Sequence, residues 1–130
     1  MKPLLVALAL SVAVLCTSGY AQQPAPKIVT LHKSPVSGQP DREFLLLSIE
    51  WPAGARTPAH THFGDEYGSV IEGSYSVKQG DGEWKTYNAG ESWHVPAGVV
   101  HESKPESAGK TINAFIVEKG KPLINPYQKP

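Results

Sequence analysis

From Lys27 onward, apolar and polar residues alternate over short runs, and Gly or Pro punctuates those runs. Such a rhythm, with turn signals roughly every 8–12 residues, is that of an all-β sandwich or barrel. The clearest run is Arg42 to Trp51. Leu45, Leu47, Ile49 and Trp51 fall on one face, with Ser48 and Glu50 on the other, the period of a half-buried strand. Lys27 to Lys33 reads as a first strand and Ser34 to Pro40 as a loop. Tyr67 to Glu72 and Ser74 to Lys78 flank Gly73, where a bend calls for a residue without a Cβ. Gly80-Asp81-Gly82 is a hairpin signal. Short strands follow at Glu83 to Tyr87 and Ser92 to Val95, and Lys110 to Glu118 is the last long one. Trp51, Phe63, Trp93 and Phe115 are core candidates, whereas Trp84 and Tyr87 lie near the hairpin, at the surface or an interface. Helical periodicity and internal repeats are both lacking beyond residue 21, so a single β domain is expected.

The first 21 residues have a different character. Met1-Lys2 is a short positive start, Leu4 to Leu15 is almost wholly apolar, and Gly19 and Ala21 are small residues suited to a signal peptidase. The apolar run is shorter than the roughly 20 residues a bilayer span needs. Export, to the periplasm or outside the cell, with cleavage after Ala21 is expected, in preference to acylation at Cys16, which has the bulky Leu15 before it. The chain then divides into a signal peptide at 1–21, an N-terminal arm, first strand and loop at 22–40, a core at 41–118 and a Pro-rich tail at 119–130.

Cleavage removes Cys16, the one cysteine, so the mature chain forms no disulfide. The full chain has 12 basic and 12 acidic residues, and loss of Lys2 leaves 11 against 12, a net charge of −1 with histidines neutral. A basic block suited to nucleic acid is missing, and so is an amphipathic helix suited to a membrane surface. The expected partner is a small molecule.

Candidate chemistry is concentrated in two segments. In His60-Thr61-His62 the two imidazoles point the same way on an extended strand. Gly64-Asp65 offers a turn that brings Glu66 back toward them. The segment Gly90 to His101 reads as a short strand, a Pro96/Gly98 turn and a return strand that carries another histidine. His60, His62, Glu66 and His101 together would offer three imidazoles and a carboxylate, a set suited to one divalent Fe, Mn, Ni, Cu or Zn ion. Glu66 can also serve as a base. His94 is read as packing or solvent-facing, His32 as having no partner, and Asp65 as stabilising the turn.

These segments resemble the two motifs of the cupin superfamily. Gly54, His60-x-His62, Glu66 and Gly73 match the first motif, and Gly90, Pro96-x-Gly98 and His101 match the second. Pro105 stands where the second motif usually ends in asparagine. The resemblance implies a single antiparallel β-barrel of jelly-roll type, with His60, His62, Glu66 and His101 as metal ligands pointing into the lumen. Small cupins of this sort resemble the quercetin dioxygenase-like group, which implies a metal-dependent dioxygenase with Glu66 as ligand and catalytic base. A non-catalytic module for a small ligand or metal is the alternative. A metal-dependent isomerase or lyase comes third, because Arg56 is the only arginine near the first motif. The resemblance and the unpaired strand edges also lead to the expectation of a homodimer.

Overall fold

A computed structural model describes residues 22–130. The expected signal peptide lies outside the described residues. Ten strands follow in order: β1 (Lys27–Val36), β2 (Gln39–Trp51), β3 (Thr57–Thr61), β4 (Gly64–Glu72), β5 (Ser74–Gln79), β6 (Lys85–Asn88), β7 (Ser92–Val95), β8 (His101–Pro105), β9 (Gly109–Glu118) and β10 (Asn125–Pro126). They form two five-stranded sheets, ordered β1-β2-β9-β4-β7 and β10-β3-β8-β5-β6, with antiparallel pairing throughout.

The all-β expectation holds, and the architecture agrees with a jelly roll. The sheets, however, are not closed into a barrel. No ladder joins the outer edges of β1 and β7 to those of β10 and β6, and the sheets are held together by side chains packed between their inner faces. Alternation along a strand specifies an inner face in either case, so it does not distinguish a closed barrel from two facing sheets.

That inner face is continuous from β2 across β9 and β4. Leu47, Ile49 and Trp51 of β2 are buried with Phe115 and Val117 of β9, Val70 of β4, Trp93 and Val95 of β7, and Tyr75 and Val77 of β5. On β9 every second residue from Thr111 to Val117 is buried, and two of those four are polar, Thr111 and Asn113. Phe63, expected in the core, is half-buried beneath Lys121 Nζ, 5.3 Å from the ring centroid.

Two local expectations are corrected. The stretch Ser34 to Pro40 is mostly strand, since β1 continues to Val36 and β2 begins at Gln39. Pro35 is tolerated because β1 is an edge strand, and Gly38, at φ +76°, closes the hairpin in a conformation that favours glycine. Gly64-Asp65 does not form a turn. Both residues begin β4, and Gly64 is required because a Cβ there would collide with the backbone of Ile116 on β9. The chain bends instead at His62-Phe63, as it passes from β3 in one sheet to β4 in the other.

Candidate metal centre

β3 delivers His60, and His62 follows directly after its end; β4 delivers Glu66 and β8 delivers His101. His60 pairs directly with His101 across β3 and β8. The turn between β7 and β8 is tied to the same spot, since Gly98 N–H donates to the His62 carbonyl at 3.1 Å. All four side chains are buried.

Each imidazole donates its Nδ1–H to a backbone carbonyl. His60 donates to Pro58 at 2.7 Å, His62 to Leu123 at 2.6 Å and His101 to Val99 at 3.0 Å. A carbonyl only accepts, so Nδ1 must carry the proton, and in a neutral ring Nε2 presents its lone pair. The three histidines converge with one ligand nitrogen each, all within 4.8 Å of one another. Carbonyls that fix the tautomer in this way are characteristic of metal-bound histidine.

Glu66 Oε2 lies 3.0 Å from His62 Nε2 and 3.1 Å from His101 Nε2. Lone pairs facing one another at that range require positive charge between them, supplied by protons on the rings or by a cation. Protonating the rings means stacking charge in a buried cluster whose centroids lie 4.1–4.9 Å apart. Burial first, then the neighbouring His101, pushes His60 down to about 4 from its ordinary 6.5. In the metal-free site burial pushes the Glu66 carboxyl up, but hydrogen bonds from His101 and His62, made when their Nε2 atoms carry a proton, outweigh it and hold the group well below the usual carboxylate range. Two ligands at right angles on a metal, each about 2.1 Å away, lie about 3.0 Å apart, which matches the Glu66 spacings. The donor set therefore fits a divalent transition metal.

The site forms one side of a cavity of about 110 Å³. Leu47, Ile49, Trp51 and Phe115 supply apolar wall, and Tyr75 and Ser103 supply hydroxyls. Tyr75 donates to Ser103 Oγ at 2.8 Å, and its phenol is raised above its ordinary pKa, chiefly by burial. Among the described residues no Lys or Arg lines the cavity, and Arg56 is exposed.

The other candidates lie elsewhere. His94 is exposed on the outer face, stacked on Tyr67 with centroids 4.6 Å apart, and its Nε2 is 3.4 Å from Asp65 Oδ1. Asp65 also accepts the Ala97 N–H at 2.9 Å, which braces the turn before His101. His32 is exposed. Residues 119–130 contribute more than a tail, because this segment carries β10 and the Leu123 carbonyl that orients His62.

Sequence reasoning missed Asn113, which donates to Glu66 Oε1 at 2.8 Å, and Trp93, whose Nε1 lies 3.4 Å from the same atom. Trp93 can lie there because Gly68, its cross-strand partner, has no Cβ to meet the indole. A polar residue on the inward face of β9 was the available signal for Asn113. Pro105, at the usual asparagine position, is buried opposite Tyr75.

The Cupin domain pattern matches residues 47–117, more than half of the 130-residue chain. The chain belongs to the cupin family. Comparison with curated proteins gives no match. Among solved structures, this cupin is similar to a cupin superfamily protein of Desulfitobacterium hafniense, with a TM-score of 0.63 and 16% identity over 75% of this chain and 83% of that one. KdgF from Halomonas sp. aligns with a TM-score of 0.63 and 18% identity over 76% and 86%. An oxalate decarboxylase variant from Bacillus subtilis aligns with a TM-score of 0.54 and 22% identity over 60% of this cupin but 22% of that chain. At these identities the likeness concerns fold alone.

Proposed function

We propose that this cupin is an exported metal-dependent enzyme of dioxygenase type, resembling the quercetin dioxygenase-like group, that acts on a small enol or aromatic substrate. The observation that carries this reading is the placement of Glu66 Oε2 beside two imidazole Nε2 atoms at the edge of a mostly apolar cavity. His60, His62, Glu66 and His101 would hold the metal, which when bound supplies Lewis acidity and one-electron chemistry with dioxygen.

The remaining steps belong to the chain. Glu66, held ionised, can take the enol proton on Oε2 once that oxygen is no longer a ligand. Leu47, Ile49 and Phe115 exclude water around the substrate, and the Tyr75–Ser103 hydroxyl pair can orient a substrate oxygen. A cavity of about 110 Å³ is smaller than the roughly 150 Å³ that holds benzene, which favours a small enol over an aromatic substrate. Lacking a lining cation, it also disfavours a substrate with a second anionic group away from the metal.

Oxygen uptake by metal-loaded protein with a panel of small enols tests the reading. Uptake that depends on the enol and disappears in Glu66→Gln, with metal retained, supports it; absence of uptake across the panel counts against it. The cavity's size favours a second reading, a lyase acting on a small carboxylate, and a fold neighbour is named oxalate decarboxylase. Turnover without oxygen would select that reading.

Export and dimerisation complete the proposal. β1 is an edge strand with Ile28, Val29 and Leu31 exposed, a surface on which a second copy could pair. Light scattering tests the dimer, and intact mass of exported protein tests cleavage after Ala21.

A further inference from the structure

The two oxygens of Glu66 have different surroundings. Oε2 faces His62 and His101, whereas Oε1 accepts from Asn113 Nδ2 at 2.8 Å. Behind Asn113 the hydrogen bonds continue. The Thr111 hydroxyl donates to Asn113 Oδ1 at 2.7 Å and accepts from Trp51 Nε1 at 2.9 Å. All of these residues are buried, and Thr111 is among the most enclosed side chains of the described residues.

The series has a direction. An indole N–H only donates, so the Thr111 oxygen must accept from it, and the single hydroxyl proton is left for Asn113. With its oxygen occupied, the Asn113 amide must present NH₂ to its other neighbour. That neighbour is Glu66 Oε1, 2.8 Å away, which accepts. Each link therefore fixes the polarity of the next, from the indole to Glu66.

We propose that Trp51, Thr111 and Asn113 form a one-way hydrogen-bond relay that positions Glu66, keeping Oε1 occupied so that Oε2 alone faces the metal. The inference rests on the reading that Glu66 is a ligand, and it names positioning residues that do not themselves touch metal or substrate. Without the Thr111 hydroxyl, Asn113 Oδ1 loses its donor and the amide is anchored only at its Glu66 end. A buried acceptor would then lack its donor, and a less firmly held Asn113 would leave Oε1 to the longer Trp93 contact at 3.4 Å, so that the carboxylate could tilt and engage through both oxygens.

Two substitutions at Thr111 separate this role from simple packing. Thr111→Val keeps the shape and removes the hydroxyl, while Thr111→Ser keeps the hydroxyl and removes a methyl group. Co(II), whose visible absorption reports its ligands, is the probe. Thr111→Val should weaken Co(II) binding by about 10–100-fold, the usual effect of losing a group that orients a ligand, and should shift the Co(II) bands. Thr111→Ser should bind with near wild-type affinity and wild-type bands, despite its lower melting temperature.

The reverse order, or unchanged bands in Thr111→Val, would overturn the relay. If Thr111→Val does not fold, side-chain NMR of the Zn(II)-loaded chain decides. The Asn113 amide and Trp51 indole protons should both shift in Glu66→Gln, and unmoved resonances would overturn the proposal. Wild-type protein that binds no Co(II) would overturn the metal reading together with the relay. Bands that shift in Glu66→Gln but not in Thr111→Val would overturn the relay alone.

Discussion

Two carboxylate–imidazole contacts lie one residue apart on β4, on opposite faces of the sheet. Outward, Asp65 Oδ1 is 3.4 Å from His94 Nε2, with side chains 39% and 46% exposed. Inward, Glu66 Oε2 is 3.0 Å from His62 Nε2, with side chains 8% and 4% exposed. The residue types are almost the same, but water screens the outer pair, and such pairs contribute about 0–1 kcal/mol. The inner carboxylate has lost its water and is surrounded by His62, His101, Asn113 and Trp93. Burial turns an ordinary surface contact into a site where each proton and lone pair must be matched.

The largest effect that separates the two clusters is metal retention. Alanine at His60, His62 or His101 should remove most of the bound metal, because each change strips one of the three clustered imidazoles. His94→Ala should leave the metal-to-protein ratio unchanged. Glu66→Gln should weaken binding less than loss of a histidine, since an amide oxygen still coordinates. Elemental analysis after dialysis checks the series. A loss in His94→Ala equal to that in His62→Ala would erase the distinction between the faces.

Acid should also distinguish them. The fold lowers His60 to about 4 from 6.5, so the neutral ring is the form it stabilises. That contribution is full above pH 6.5 and is lost as pH falls toward 4, for a total of about 3 kcal/mol. Glu66 is lowered below the usual carboxylate range, so its contribution is present above the ordinary carboxylate pKa and is lost only at still lower pH. Urea unfolding of the metal-free chain between pH 7.5 and 4 should show this decline, and His94→Ala should trace the same curve. A flat profile would contradict the assignment of His60.

A smaller change is expected from deleting residues 121–130. The deletion removes the Leu123 carbonyl that accepts His62 Nδ1–H at 2.6 Å, together with β10. Metal affinity should fall by about 10–100-fold, measured by titration with a chelating competitor. Unchanged affinity would show that His62 is oriented without the C-terminal segment. Smallest of all should be Asp65→Asn, which keeps an acceptor for the Ala97 N–H and alters only an exposed pair. Stability should move by less than about 1 kcal/mol in urea unfolding, with no change in bound metal.

The sequence displayed one part of this contrast and concealed another. His60, His62, Glu66 and His101 were legible because two short motifs carry them at fixed spacing, although His62 lies just past the end of β3 and is oriented by the Leu123 carbonyl. The strand over 110–118 was legible too. The role of Asn113 was not, because it depends on register: β9 lies against β4 with Asn113 opposite Gly68, a pairing between residues 45 positions apart in the sequence. The same holds for Trp51 and Thr111 on β2 and β9. Closure into a barrel was expected and is not seen, since alternation reports which side of a strand faces inward and carries no information about which edges meet. Pro-containing segments misled in the other direction. Pro35 sits within edge strand β1, and Pro126 within β10, where an unpaired side makes the missing N–H tolerable.

X-ray absorption of the metal-loaded chain tests the central claim most directly. One ion per chain, with three imidazole nitrogens at about 2.0–2.1 Å and at least one oxygen in its shell, is the result expected if His60, His62 and His101 converge on a cation with Glu66 beside them. A stoichiometrically bound ion with fewer than three imidazoles, or a chain that binds no ion, would contradict it.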